Sequence, residues 1–382
     1  MNPHGSKVLI AGAGIGGLTA AMALKQAGFE VQVLERAKDI QALGAGITLQ
    51  MNATAALDRL GLMESIVAQG NLLTQGEVRY AGRTLATVSF GEISQELGHP
   101  CVAIHRGRLQ AVLLDALGRD RVATGVEVTH AEQTEQGVRI PLPQGGYAEA
   151  DLLIGADGVR SQVRKSLWGD EPLRPSGYSA WRGVCRNPGL WPANLAVETW
   201  GDGQLFGAMP INAEQVYWFA TKMTAPGECK SDDPRAEILR RFEGWPDSIP
   251  ALIAATPGED VLVNEIFDRP PRFPWGRGRI TLLGDAIHPM TPNLGQGGGQ
   301  AVEDAVVLAH DLARAEDVEQ GLRAYEARRH PRTRKFMNHS RMFTALAHGQ
   351  YLWARVARRT VFPWIPQGLK KRQMLALYRF EL

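Results

Sequence analysis

The sequence predicts an α/β protein built around a parallel sheet, and three segments make that prediction. Near the N-terminus the chain reads KVLIAGAGIGGLTAAMALKQAGFEVQVLER: a strand, a glycine turn, a helix and a second strand. Far downstream it reads RITLLGDAIHPMTPNLGQGGGQAVEDAVVLA, a strand ending in a glycine-rich turn and a helix. Between them stands ADLLIGADGVRSQVRKSLWG, a third strand-to-turn unit.

In the first segment, Lys7 to Ala11 is long enough for one buried parallel strand. Gly12-Ala-Gly14-Ile15-Gly16-Gly17 follows and opens the helical run Leu18 to Ala27. Gly28 stops that run, and Glu30 to Leu34 alternates toward Glu35. A βαβ unit with these glycines is a dinucleotide fingerprint. Gly12 permits the tight turn, Gly14 lets a pyrophosphate reach the backbone, and Gly17 lets helix and strand pack closely. Ile15 and Gly16 complete the loop, whose N–H groups and helix dipole favour phosphate. Glu35 is placed to accept from adenosine ribose hydroxyls. A secretory signal would also begin with Lys7, an apolar stretch and small residues near Ala20 to Ala23. The glycine spacing and the second strand argue against it.

In the downstream segment, Arg279 to Leu283 is strand-like and Gly284-Asp285 ends it. The chain turns through His288, Pro289, Pro292 and Gly295-Gln-Gly297-Gly298-Gly299, and Ala301 to Ala309 reads as a helix. Asp285 can accept from a polyol hydroxyl such as a ribityl chain. The glycine run lays N–H groups at a helix start, which favours an anion such as the N1–C2=O side of a reduced flavin. A nicotinamide-only dehydrogenase has no use for this second turn, so the two together point to FAD. In the middle unit Asp151 to Ile154 is a strand and Asp157-Gly158 begins a turn. Arg160 and Arg164 follow one helical turn apart, and the unit reads as a second phosphate-side contact. His288 beside Asp285 reads as structural.

The 382 residues allow one large or two smaller domains, and 44% hydrophobic with 21% charged residues is a globular composition. No apolar run approaches the roughly 20 residues that span a bilayer. Cys101, Cys185 and Cys229 are few and far apart, form no metal or redox motif, and fit a reducing cytoplasm. The net charge of +2 hides an asymmetry, because Gly321 to Leu382 holds fourteen Lys and Arg against two acids. Such a tail suits nucleic acid, a membrane surface, an anionic ligand, or a solvated helical face balancing an acidic body.

GAGIGG, GADGVRSQVR and LLGDAIHPMTPNLGQGGGQAVEDA, in this order, resemble the single-component FAD-dependent aromatic hydroxylases, the para-hydroxybenzoate hydroxylase-like flavoprotein monooxygenases. The resemblance covers nearly the whole chain. GAGITLQMNATAALDRLGL is similar to the family's segment after the second strand, with Gly44, Gly46 and Asn52 in place. HRGRLQAVLL resembles its Arg-x-x-Leu motif, which puts Arg106 on the cofactor. LYRFEL is similar to the ends of the urate hydroxylase and zeaxanthin epoxidase-like branch.

The resemblance implies a discontinuous Rossmann-like FAD-binding domain from residues 1–72, 100–172 and 274–310. Inserted in it would be a mainly antiparallel β-sheet substrate domain of residues 73–99 and 173–273. A helical C-terminal segment, 311–382, would be broken by Pro331. The reaction implied is hydroxylation: NADH or NADPH visits transiently and reduces FAD, O2 adds at flavin C4a, and the hydroperoxide passes one oxygen to an electron-rich ring. The partners implied are an aromatic small molecule, O2 and NAD(P)H, with no nucleic acid and no metal. The cofactor residues implied are Gly12, Gly14, Ile15, Gly16, Gly17, Glu35, Arg36, Gly46, Arg106, Asp157, Asp285, Pro292, Gly295, Gly297 and Gly298, with Arg36 stacking near the adenine. Tyr217 falls where the urate branch has a functional tyrosine, and Arg182 joins it as a catalytic candidate.

Candidate pocket lining comes from the middle sheet: Trp181, Arg182, Trp200, Phe206, Met209 and Tyr217. The mix suggests a flat, fairly apolar substrate. Urate hydroxylases carry a basic residue after a GDG turn, where this chain has Gln204 and Leu205, which speaks against urate. Epoxidation and tetracycline-type inactivation remain open. A flavin-dependent halogenase fits poorly, because Phe362-Pro-Trp364-Ile-Pro366 lacks the first Trp of the halogenase motif and comes too late. A non-catalytic flavin protein is the remaining alternative. In the tail, Arg355, Arg358, Arg359, Lys370, Lys371 and Arg372 interleave with Trp353, Val356, Phe362, Trp364 and Ile365. That pattern allows weak peripheral contact of a cytoplasmic protein with the inner membrane face. The alternative packs the apolar residues onto the body and turns the cations to water.

Overall fold

The computed structural model describes residues 5–41, 44–80, 82–142, 145–225, 227–228, 231–246, 248–349, 351–360 and 364–382. Cys229, Phe362 and the Arg359 side chain, singled out above, lie outside the described set.

The first layer is a five-stranded parallel sheet. Its order is Ile280–Leu282, Leu152–Gly155, Lys7–Ala11, Glu30–Glu35 and Val122–Thr124. All three glycine turns therefore leave neighbouring strands at the same, C-terminal edge, where open α/β sheets bind ligands. Val8, Leu9, Ile10, Leu152, Leu153, Ile154 and Leu282 are fully or almost fully buried, as helix-covered parallel strands require. The helix Ile15–Gln26 ends at Ala27, and Gly28 takes a φ of 90°. A small antiparallel sheet, Gly46–Leu49, Cys101–His105 and Asn71–Leu73, leads out of this layer.

The second layer is a seven-stranded sheet. Its order is Leu262–Asp268, Arg174–Arg186, Gln215–Met223, Gln204–Pro210, Leu195–Trp200, Gln75–Tyr80 and Arg83–Ser89. Every pairing is antiparallel except Leu195–Trp200 with Gln75–Tyr80. Strand side chains alternate between faces, and this divides the proposed pocket residues. Trp181 and Phe206 point to the far face and pack with Trp218, Ile238, Phe242 and Leu252 under the helices Pro234–Arg241 and Ser248–Ala254. Arg182, Met209 and Tyr217 lie on the near face. Trp181 and Arg182 are adjacent in one strand and cannot line one pocket. Trp200 is on the near face but is filled against Phe343, ring centroids 5.5 Å apart.

The C-terminal segment is helical: Gly297–Leu312, Val318–Ala347, Leu352–Thr360 and Gln367–Tyr378. Pro331 does not break it, because Val318–Ala347 runs straight through that residue. A mid-helix proline costs about 3 kcal/mol. Tyr325, Glu326, Arg329, Thr333, Phe336, Ser340 and Thr344 are buried on both sides of it, and their packing outweighs that cost. No helix among the described residues is long and apolar enough to cross a membrane.

Candidate active site

At the first turn Gly12 has a φ of 103°, and a Cβ there would meet the Ala156 carbonyl oxygen at 2.6 Å. A Cβ on Gly17 would strike the Gly12 carbonyl oxygen, while one on Gly14 would meet nothing within 4 Å. The open side of the loop is thus at Gly14, where the helix starts without a side-chain cap. Glu35 braces the loop, accepting from Ala13 N at 2.8 Å and Ala37 N at 2.9 Å. Arg36 is exposed at the same rim.

Asp157 lies against Gly12 and caps the next helix, accepting from Gln162 N at 2.7 Å and Val163 N at 3.1 Å. Its Oδ1 is buried without a partner, and burial raises its pKa against these hydrogen bonds. The arginines after it do not act as a pair. Arg160 is exposed before the helix begins, and Arg164 is turned inward to Glu171 at 2.7 Å. The two arginines therefore do not form the single phosphate-side contact expected of them.

Downstream, Asp285 is exposed at its surface, yet protein surrounds it. Burial raises its pKa, while His288 and Arg106 pull it down. A Cβ on Gly297 would come 3.9 Å from Asp285 Oδ1, so the carboxylate faces the start of the Gly297–Leu312 helix. That helix begins four residues before the expected Ala301, which puts Gly297, Gly298 and Gly299 in its first turn. Pro292 opens a short 3-10 turn, and Gly295 adopts a φ of 62°. Arg106 begins the Arg106–Leu117 helix with its stem against Gly44.

A pair from different layers completes the site. A Cβ on Gly46 would run into the Tyr217 ring, so Tyr217 lies directly on the cofactor layer. Burial raises the phenol's pKa, and the Arg182 guanidinium facing it counteracts this by charge and hydrogen bonding. Arg182 also donates to Asn264 Oδ1 at 3.3 Å. On the same face Glu198 accepts from Trp200 Nε1 at 3.1 Å, and burial raises its pKa.

Sequence reasoning missed the support beneath the glycine run. Gln296 donates to Gln50 Oε1 and Asn52 Oδ1, each at 3.1 Å, and Asn52 donates to Glu303 Oε1 at 2.6 Å. Arg329 pairs with Glu303 at 2.5 Å and Asp304 at 2.7 Å, and Asp304 holds His288 Nε2 at 2.5 Å. His288 is thus tied by its Nε2 into this network. Burial raises both carboxyls, but Arg329 and their other partners outweigh it and hold them below the usual range. The spacing of Gln296, Gln300, Glu303 and Asp304 on one helix was the available signal; that Arg329 meets them was not readable. No group of His, Cys, Asp and Glu among the described residues is arranged to hold a metal.

These residues fit a bound FAD. An open glycine at a helix start, an acid at the next strand end and a second helix start facing Asp285 lie along one edge of the parallel sheet. The halogenase-like Trp364 is far from this role, being 83% exposed on the surface.

Comparison with known proteins agrees. The family model for the FAD binding domain matches residues 5–242 and 262–340. The chain is 42% identical over 334 residues to the aurachin C monooxygenase/isomerase of Stigmatella aurantiaca, covering 87% of each. It is 35% identical over 349 residues to the FAD-dependent urate hydroxylase of Klebsiella pneumoniae, covering 90% of this chain and 91% of that protein. The fold matches the crystal structure of Klebsiella pneumoniae HpxO complexed with FAD and uric acid with a TM-score of 0.92 at 32% identity, over 98% and 96% of the two chains. The protein belongs to the FAD-binding-domain family and is an FAD-dependent monooxygenase acting on an electron-rich small molecule.

Proposed function

We propose that the protein hydroxylates a flat, fairly apolar aromatic molecule at the face between Gly46 and the seven-stranded sheet. NADH or NADPH serves as a transient donor. The observation that carries this reading is the Tyr217 ring seated on Gly46 with Arg182 beside its hydroxyl. That pair would orient a substrate hydroxyl or carbonyl and stabilise charge developing on it. Bound FAD supplies the reaction of reduced flavin with O2. Gly12 to Gly17, Glu35, Arg36 and Asp157 would hold the adenosine and pyrophosphate end. Asp285 and Arg106 would hold the ribityl side, and Gly46, Pro292, Gly295, Gly297 and Gly298 would hold the ring system. Buried Met209 and Tyr217 exclude water. The domain division at 1–72, 100–172 and 274–310 against 73–99 and 173–273 belongs to this reading, supported by the two separate sheets. So does a weak peripheral contact of the 311–382 segment with a membrane.

The test is NAD(P)H oxidation over a panel of phenols, quinolones, purines and polyketides, followed by mass spectrometry under labelled O2. The product should carry one oxygen from O2. Label arriving from water would overturn the reading. Tyr217→Phe should lower coupled product formation more than FAD content.

A further inference from the structure

From Ala327 to Phe380 the chain contains no Asp or Glu but thirteen Lys and Arg. Among the described residues, six of these cations are paired with acids of the molecule itself. Arg328 pairs with Asp311, Arg329 and Arg332 with Glu303, Arg341 with Asp268, and Lys371 with Glu92 and Glu96. Arg358 is the extreme case. It is fully buried, pairs with Asp202, donates to Gly201 O at 3.0 Å and Ala347 O at 3.2 Å, and stacks 4.4 Å from the Tyr80 ring centroid.

That buried arginine fixes the rotation of the Leu352–Thr360 helix. Ala354 and Arg358, one turn apart, face the body. The opposite face must then look outward, and it is apolar: Leu352 is 73% exposed, Trp353 56% and Val356 51%. Tyr351 stacks on Trp353 with centroids 6.1 Å apart, and Trp364 and Leu369 are exposed further along. The aromatic residues of this helix therefore do not pack inward. Arg355 on this helix and Arg372 on the helix Gln367–Tyr378 are exposed and have no ion-pair partner among the described residues. A segment that exposes two tryptophans and an apolar helix face, carries exposed cations and contains no acid fits the boundary of an anionic bilayer. The partners of Arg358, Gly201 and Asp202, form the turn that joins Leu195–Trp200 to Gln204–Pro210, so the helix stands at one end of the substrate-facing sheet.

We infer that the outward face of the Leu352–Thr360 helix, with Tyr351 and Trp364, docks on an anionic lipid surface and gives the site access to a substrate dissolved in that membrane. The inference rests on the oxygenation reading only for the substrate; the docking stands on the surface itself.

The experiment uses the FAD-loaded protein and two kinds of vesicle, phosphatidylcholine alone and phosphatidylcholine mixed with phosphatidylglycerol. Sedimentation should carry the protein down with the anionic vesicles at low salt and not with the neutral ones, and tryptophan emission should shift to the blue. L352S/W353S/W364S should lose binding by about tenfold or more, while its visible flavin spectrum and its slow NADH oxidation without vesicles stay unchanged. R355Q/R372Q should lose the preference for anionic vesicles. Protein left in the supernatant with anionic vesicles at low salt overturns the inference. Binding untouched by the triple substitution also overturns it. So does a concentration-dependent dimer that the triple substitution abolishes without vesicle binding, which would assign the face to a second copy. A wrong oxygenation reading would show separately, as absent NAD(P)H oxidation and absent product with vesicle binding intact.

Discussion

At the scale of single residues, the site depends on groups whose neighbours leave them one direction to face. Asp285 is surrounded by protein yet exposed, opposite the start of the Gly297–Leu312 helix. Asp285→Ala should weaken FAD retention and lower turnover together. The proposed hydrogen bond to the ribityl side would be worth on the order of 1–3 kcal/mol. Flavin titration of the apoprotein checks the affinity, and unchanged affinity with unchanged turnover would remove Asp285 from the site. Glu35, read from the sequence as a ribose acceptor, has a role the sequence did not suggest. Its carboxylate also ties the Gly12 turn to the second strand through Ala13 N.

At the scale of elements, the Gly297–Leu312 helix is held from behind by Val318–Ala347. Glu303 and Asp304 are buried acids in the first of these helices, and Arg329 of the second neutralises both. Buried ion pairs contribute little net stability, but removing one partner strands the other. Arg329→Ala should therefore destabilise the protein by about 3–5 kcal/mol, read by urea unfolding. Arg329→Met/Glu303→Gln/Asp304→Asn together should recover part of the loss. A single Arg329→Ala with unchanged unfolding would mean the network is not a support. The same packing explains Pro331. Local propensity predicts a break there, and the buried residues on both sides keep the helix continuous.

At the scale of the whole molecule, His348 joins the long helix to the seven-stranded sheet. Its Nδ1 donates to Thr344 O at 3.0 Å, its Nε2 accepts from Thr221 Oγ1 at 2.8 Å, and Tyr178 lies 4.8 Å from its ring. Burial pushes its pKa from 6.5 down to about 4, overcoming the Thr344 hydrogen bond. Between those values the unfolded chain binds a proton that the folded one does not. Stability should therefore fall as the pH drops from 6.5 to about 4, by about 3 kcal/mol from this residue. Urea unfolding across that range should show a shallower pH dependence in His348→Gln; an identical slope would count against the assignment. The sequence by itself determined the parallel sheet, its three glycine turns and FAD, because strand, turn and helix signals are local and their spacing is fixed by backbone geometry. It could not say which near-face residues meet the cofactor layer. Trp181 and Phe206 look as suitable as Tyr217 until pairing register assigns each to a face. The tail was undecidable for the same reason. Whether its aromatic residues or its arginines face the body depends on Arg358 finding Asp202 and Tyr80, contacts between residues far apart in the chain that only the tertiary structure brings together.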